Sequence, residues 1–256
     1  MKISVITVAL NSAATIADTL DSVAGQRHAN IEHLVVDGQS SDSTLMVVES
    51  RRHDRLRWVS EPDAGLYDAM NKGLRMSRGE VVGFLNADDL YSDEFALTRV
   101  AQAFSDPLVD ACYGDLIYIT HNKRRIARHW RSRPYDKGLF AKGWRPPHPT
   151  FYIRRSAFER LGEFNLRFRL AADFEFMMRY LEDPKVRSRY IPHVLVQMRL
   201  GGATNRSWSN IVSQNREILE AIRAHNGHCS PLVFWTHKLA HQIWQRVAAR
   251  RVRSIS

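Results

Sequence analysis

The sequence predicts an α/β protein with a mainly parallel sheet and a C-terminal helical appendage. Strand-like and helix-like apolar patterns alternate through the first hundred residues. Acidic residues recur where the strands end. The apolar run Val81-Val82-Gly83-Phe84-Leu85 leads directly into Asn86-Ala87-Asp88-Asp89. A short valine-rich run reads as a buried strand, and ligands of open α/β sheets gather beyond the carboxyl ends of such strands.

The elements follow in order. Ile3–Val8 is a strand, and from Ser12 onward Ile16, Leu20 and Val23 recur at helical spacing. Ile31–Val36 is a second strand running into Asp37-Gly38, and Ser41-Asp42 cap a helix through Leu45, Val48 and Glu49. Leu56–Val59 is a third strand, Leu66–Met76 a helix, Val81–Leu85 a fourth strand and Glu94–Phe104 a helix. Beyond residue 110 the elements shorten: Asp110–Thr120, Ile126–Trp130 and Thr150–Ile153 as strands, a helix over Asp173–Leu181, then one or two strands in Arg189–Leu200 around Pro192. A soft boundary is placed near 108. Residues 1–108 form a nucleotide-binding half, 109–205 an acceptor half, and 206–256 the C-terminal helices.

Composition excludes several classes. Hydrophobic content of 44% and charged content of 25% are those of an ordinary globular protein. No apolar stretch reaches the length of a spanning helix. The start imitates a signal peptide, but the polar Ser4 and Thr7 and the following Asn11 suit a strand feeding a helix cap, so a cytoplasmic setting is expected. Cys112 and Cys229 stand far apart, which points to neither a zinc site nor a disulfide framework. No Gly-x-Gly-x-x-Gly or Gly-x-x-x-x-Gly-Lys run is present, so dinucleotide and P-loop readings lose their main support. The net charge is +10, and residues 121–155 alone hold eleven Lys or Arg against Asp136. Such a patch suits nucleic acid, anionic lipid or a phosphorylated substrate. It lacks a helix-turn-helix, zinc-finger or aromatic-strand signature, which disfavours nucleic acid.

Adjacent carboxylates at Asp88 and Asp89 raise each other's pKa unless a cation lies between them. Mg²⁺ or Mn²⁺ with a phosphorylated ligand would supply that cation. The alternative is a solvated turn with Asp89 as the N-cap of the next helix. Asp37, Asp63 and Asp88-Asp89 all follow strands, so an open sheet would gather them on one edge.

In order and spacing, these runs resemble the inverting family 2 glycosyltransferases: Ser4 to Asn11, Val35 to Thr44, Asp63-Ala64-Gly65-Leu66-Tyr67-Asp68-Ala69-Met70-Asn71-Lys72-Gly73, Gly79-Glu80, Phe84 to Asp89, His148-Pro149-Thr150-Phe151 and Ala171 to Glu175. The resemblance covers roughly residues 1–200, and the Tyr67–Gly73 run resembles the branch that builds bacterial surface polysaccharides. It implies the GT-A fold, a Rossmann-like nucleotide-binding sandwich. It also implies a nucleotide-sugar donor (a UDP-sugar favoured) and a saccharide or polyprenyl-diphosphate-linked acceptor. Under it Thr7, Ala9 and Asn11 line the donor pocket, and Asp37 reads the base. Asp88 binds Mn²⁺ or Mg²⁺, with Asn86 or Asp89 assisting. The family's usual motif opens with Asp where this chain has Asn86.

Asp173 is the implied general base, a role that needs some desolvation, for which Phe174, Phe176 and Met177 are at hand. Its alternative is a helix N-cap. Asp63 joins the donor set. Asp68, Asn71 and Lys72 are read as donor contacts or helix braces, and His148 as a diphosphate or acceptor contact or a packed turn residue. Trp58, Trp130 and Trp144 read as packing. Processive synthases carry Gln-x-x-Arg-Trp, which Gln214-Asn215-Arg216-Glu217 does not match, so addition of one sugar is favoured. Transfer to polyprenyl phosphate and a non-catalytic nucleotide-sugar binder are the neighbouring readings. Leu232, Trp235, Leu239, Ile243, Trp244 and Val247 share one helical face. That face would lie peripherally on the inner surface of the cytoplasmic membrane, or pack on the catalytic domain or a partner.

Overall fold

The protein is described by a computed structural model over residues 1–120, 125–200, 208–226 and 234. Strands β1 (Ile3–Ala9), β2 (Ile31–Asp37), β3 (Leu56–Ser60) and β4 (Val81–Phe84) pair in parallel in the order β3-β2-β1-β4. β1 and β2 are buried along their whole length, as strands covered on both faces must be. Helices α1 (Ile16–Ala24), α2 (Thr44–Ser50) and α3 (Leu66–Met76) make the crossovers. On α3, a Cβ at Gly73 would stand 2.4 Å from Ile6 Cγ2, so only glycine lets this helix reach the sheet.

The sheet continues across residue 108. After β5 (Leu90–Tyr91) and α4 (Ala96–Ala103) come β6 (Ala111–Ile119), β7 (Ile126–Trp130), β8 (Tyr152–Arg154), α5 (Arg155–Leu161), α6 (Ala172–Leu181), β9 (Ser188–Arg199) and α7 (Trp208–Asn226). β8 pairs antiparallel with β4 and β6, β6 runs parallel with β9, and β5 and β7 add antiparallel edges. The result is one mostly parallel nine-stranded sheet with helices packed on it.

Most expected elements appear, shifted by a residue or two at their ends. The helix expected from Glu94 begins at Ala96, because Leu90 and Tyr91 first pair with β9 as β5. α5 was not expected. β9 is a single strand through Pro192. The register with β6 slips between Tyr113 and Asp115, which leaves the proline, with no N–H to donate, outside the ladder. The apolar C-terminal stripe from Leu232 to Val247 lies outside the described residues. Among the described residues no helix is long and apolar enough to cross a membrane.

Two large cores lie against the sheet. One joins Ile6, Val8, Met70 and Leu74 to the aromatic set Phe140, Phe164, Phe174 and Phe176. The other joins Ile3, Val5 and Val81 to Leu97, Val100, Leu116 and Leu195.

Candidate active site

The parallel register decides the site's location. Ala9 pairs with Asp37 and Asp37 with Ser60, so β1, β2 and β3 end at one edge, and β4 ends beside them. Backbone turns there are tight: Asn11 has φ 50° and Gln39 φ 63°, left-handed conformations that Asn tolerates better than most residues. The Asn11 amide oxygen accepts the Ser41 N–H at 2.9 Å, and its own N–H donates to Ser40 Oγ at 2.8 Å. The Asp37 carboxylate is buried and accepts from Ser40 N–H (2.9 Å) and Ser60 Oγ (2.7 Å). Asp63 accepts the Gly65 N–H at 2.8 Å and lies so close to Gly38 that a Cβ there would meet its Oδ2 at 2.4 Å.

The other expected donor residues divide. Ala9 is buried at the end of β1, whereas Thr7 holds His33 Nε2 at 2.9 Å inside the protein. Asn71 grips the backbone of Phe164 through both its amide atoms, each at 2.9 Å. Asp68 accepts the Ala64 N–H at 3.0 Å, and Lys72 binds the Pro62 carbonyl and Glu61. Thr7 and Asn71 therefore hold the scaffold, Asp68 and Lys72 brace the loop of residues 61–68, and Asn11, Asp37 and Asp63 stand together at the edge.

Beyond β4 the chain turns sharply, with Asp89 N–H donating to the Asn86 carbonyl at 3.0 Å. Asp89 does not cap a helix, because β5 follows it and α4 starts only at Ala96. Its carboxylate is fully buried, with Oδ2 accepting from Asn86 Nδ2 at 3.1 Å. Asp89 Oδ1 and Asn86 Oδ1 are buried with no hydrogen-bond partner among the described residues. Burial, and then the neighbouring Asp88, push the Asp89 carboxyl well above the usual carboxylate range, against the pull of Asn86 and Arg199. Arg199 Nη1 donates to the Asp88 carbonyl at 2.9 Å while its other nitrogen pairs with Asp18, which ties the turn to β9 and α1.

Among the described residues no three His, Cys, Asp or Glu side chains cluster as a complete metal cage. Two carboxylates and an amide oxygen nonetheless suit Mg²⁺ or Mn²⁺, which take one or two protein carboxylates and draw their remaining ligands from water and phosphate. The two orphaned oxygens fit such an ion.

On the other wall Asp173 lies in the first turn of α6, half-buried, and accepts from Tyr67 Oη at 3.2 Å. The N-cap is Ala171, so the Asp173 carboxylate is not consumed in capping. Glu217 of α7 instead accepts the Leu170 and Ala171 N–H groups, at 2.8 and 3.0 Å. His148 is buried, stacked on Phe84 at 5.3 Å, and its Nε2 has no partner. Burial lowers its pKa, opposed by Asp173, so the ring is neutral near pH 7. Burial raises the Tyr118 phenol, on which Arg128, Arg145, Asp89 and Asp173 all act. That shared neighbour links the metal-type turn to the Asp173 wall. Tyr67, Tyr118, Arg145 and Arg199 are missed as individual residues by sequence reasoning. For Arg128 and Arg145 the only signal was the basic run that contains them.

Residues 4–162 match the family described as glycosyl transferase family 2. The chain belongs to glycosyl transferase family 2. A PGL/p-HBAD biosynthesis glycosyltransferase of Mycobacterium bovis is 34% identical over 209 residues, covering 79% of this chain and 78% of the relative. S. aureus TarS 1-349 in complex with UDP-GlcNAc superposes with a TM-score of 0.64 at 21% identity, covering 88% of this chain and 68% of that one. The mannosyltransferase PcManGT of Pyrobaculum calidifontis, in complex with GDP-Man and Mn²⁺, superposes with a TM-score of 0.66 at 21% identity, covering 100% and 75%. The family 2 chain thus shares its fold with glycosyltransferases solved with nucleotide-sugars.

Proposed function

We propose that this family 2 transferase is inverting and metal-dependent, and moves one sugar from a nucleotide-sugar, a UDP-sugar favoured, to a hydroxyl of a saccharide acceptor, lipid-linked in a surface-glycan pathway. What supports this is the Asn86–Asp89 turn with its two orphaned buried oxygens together with Asp173 held by Tyr67, Asp89 and Asp173 both acting on the Tyr118 phenol.

Asn11, Asp37 and Asp63 hold the nucleoside end of the donor in this reading. Asp88, Asp89 and Asn86 would hold Mn²⁺ or Mg²⁺, which supplies positive charge to the departing diphosphate when bound. Asp173 accepts the proton of the acceptor hydroxyl as that oxygen forms its bond to the anomeric carbon. The bond from that carbon to the diphosphate breaks on the opposite face, and its electron pair leaves with the nucleoside diphosphate. The configuration therefore inverts. His148, neutral and stacked on Phe84, is a buried wall residue with an unpaired nitrogen in this reading.

Asp173→Asn tests this assignment. Nucleotide-sugar turnover should fall by about 10²–10⁴-fold, the usual contribution of a positioned base, with nucleotide affinity kept. Undiminished turnover would overturn it. Proton NMR of the first-formed glycoside should show the anomer opposite to that of the donor.

A further inference from the structure

Arg199 is a buried cation to which the proposed chemistry assigns no part. It is 5% exposed and ends β9, where its backbone pairs with Ile119 of β6. A buried guanidinium is costly unless its donors are matched. Asp18, in the first turn of α1, matches one of them by pairing with Nη2. Nη1 goes elsewhere, to the main-chain carbonyl of Asp88 at 2.9 Å.

The next carbonyl along the chain is held from the same side. Thr19, fully buried beside Asp18 on α1, donates its hydroxyl to the Asp89 carbonyl at 2.8 Å. Consecutive carbonyls of the turn are thus gripped by α1 and by β9, elements far apart in sequence. A tie between β9 and α1 needs only the Asp18 pair. The bonds to the two carbonyls serve the turn itself.

The turn has a reason to need them. Adjacent carboxylates at Asp88 and Asp89 repel each other and favour backbone arrangements that splay them. Mg²⁺ accepts only near-ideal octahedral geometry at about 2.0–2.1 Å, so a small shift of the main chain takes a ligand out of reach. Asp18 also offsets the charge of Arg199, so the guanidinium adds little net repulsion toward a second cation nearby. A guanidinium fork can reach a carboxylate and a carbonyl at once, whereas an ammonium is a single point.

We infer that Arg199 and Thr19 are positioning residues for the divalent cation: by holding the Asp88 and Asp89 carbonyls, they set the turn so that the oxygens of Asn86, Asp88 and Asp89 converge on one ion. This rests on the metal-dependent reading of the same turn and adds to it the residues that hold the ligands in place.

The test titrates Mn²⁺ into the intact protein saturated with UDP or GDP, whichever wild type binds, and reads free Mn²⁺ by its EPR signal. Urea midpoints and nucleotide affinity in chelator are measured alongside. Arg199→Gln should weaken Mn²⁺ binding by about 10–100-fold, the usual effect of removing a group that orients metal ligands, with nucleotide affinity in chelator kept. Arg199→Lys, which keeps the charge and loses the fork, should restore part of that affinity. Thr19→Val, which removes one hydroxyl at nearly constant volume, should weaken Mn²⁺ binding without touching the Asp18 pair, and it carries the test if Arg199→Gln does not fold. Lowered urea midpoints with unchanged Mn²⁺ affinity in the folded variants would make both residues braces of the fold alone and overturn the inference. If wild type binds nucleotide equally with Mn²⁺ and with chelator, and takes up no Mn²⁺, the metal-dependent reading itself falls and takes the inference with it.

Discussion

At the Tyr67–Asp173 contact one phenol N-terminal to the sheet's fourth strand holds a carboxylate that the chain supplies more than a hundred residues later. The phenol donates, so under the proposed mechanism it orients the carboxylate that would take the acceptor proton. Tyr67→Phe keeps the ring stacked on Phe164 and removes only that donor. A hydrogen bond to a charged group contributes roughly 1.5–3 kcal/mol, so kcat should fall roughly ten- to hundredfold with little change in donor affinity, read from steady-state kinetics. An equal loss in donor affinity would show that Tyr67 holds the nucleotide instead. Asp173 was legible in the sequence because Ala171-Ala172-Asp173-Phe174-Glu175 resembles the family's pattern at that place. Tyr67 was not, although it lies inside a quoted motif, because a motif gives neighbours along the chain and says nothing of which side chain crosses the cleft. Arg199 was hidden for the same reason: it reaches the Asp88 carbonyl from the end of β9, 111 residues away.

Among elements, the first four strands were readable because parallel strands buried on both faces are continuous apolar runs, and their ends carry the acids. β5 was unreadable because two residues have no periodicity, and only pairing with β9 makes Leu90–Tyr91 a strand. α5 opens on Arg155-Ser156 and buries only Ala157 and Phe158, too little to give a helical apolar stripe. The placement of α3 is a tight packing condition on β1. Gly73→Ala would press a Cβ into Ile6, and overpacking of this kind costs about 1–3 kcal/mol. A lower urea midpoint with an unchanged slope is expected. An unshifted midpoint would mean that α3 can move off β1 without penalty. Helix α6, which carries Asp173, depends on α7 in turn, since Glu217 holds the Leu170 and Ala171 N–H groups that lead into it.

For the molecule as a whole, the sheet has a titratable group inside it. His33 is fully buried against Thr7, and burial together with His53 lowers its pKa to about 3. The imidazole is therefore neutral in the folded protein and takes a proton on unfolding at any pH below its ordinary value near 6.5. Because the unfolded state binds that extra proton, its contribution to stability is complete above about pH 6.5 and is lost as pH falls from there toward 3. Each pH unit in that window costs about 1.4 kcal/mol from this group. Urea denaturation at pH 7.5, 6.5 and 5.5 should show that loss, and His33→Gln should flatten it. A wild-type stability that rises toward pH 5.5 would contradict the burial argument. The same sheet gathers Asn11, Asp37, Asp63 and the Asn86–Asp89 turn at one edge, an outcome the sequence made legible through strand order alone, whereas the aromatic and arginine wall opposite it depended on tertiary packing. The central claim is that this edge is a metal-assisted nucleotide-sugar site. Its most direct test is calorimetric binding of UDP-, GDP- and dTDP-sugars to wild type and Asp88→Ala, with Mn²⁺ or Mg²⁺ and with chelator. Binding of one nucleotide class that needs the metal and is lost in the variant is the result expected; folded wild-type protein that binds none of them, with or without metal, would contradict the account.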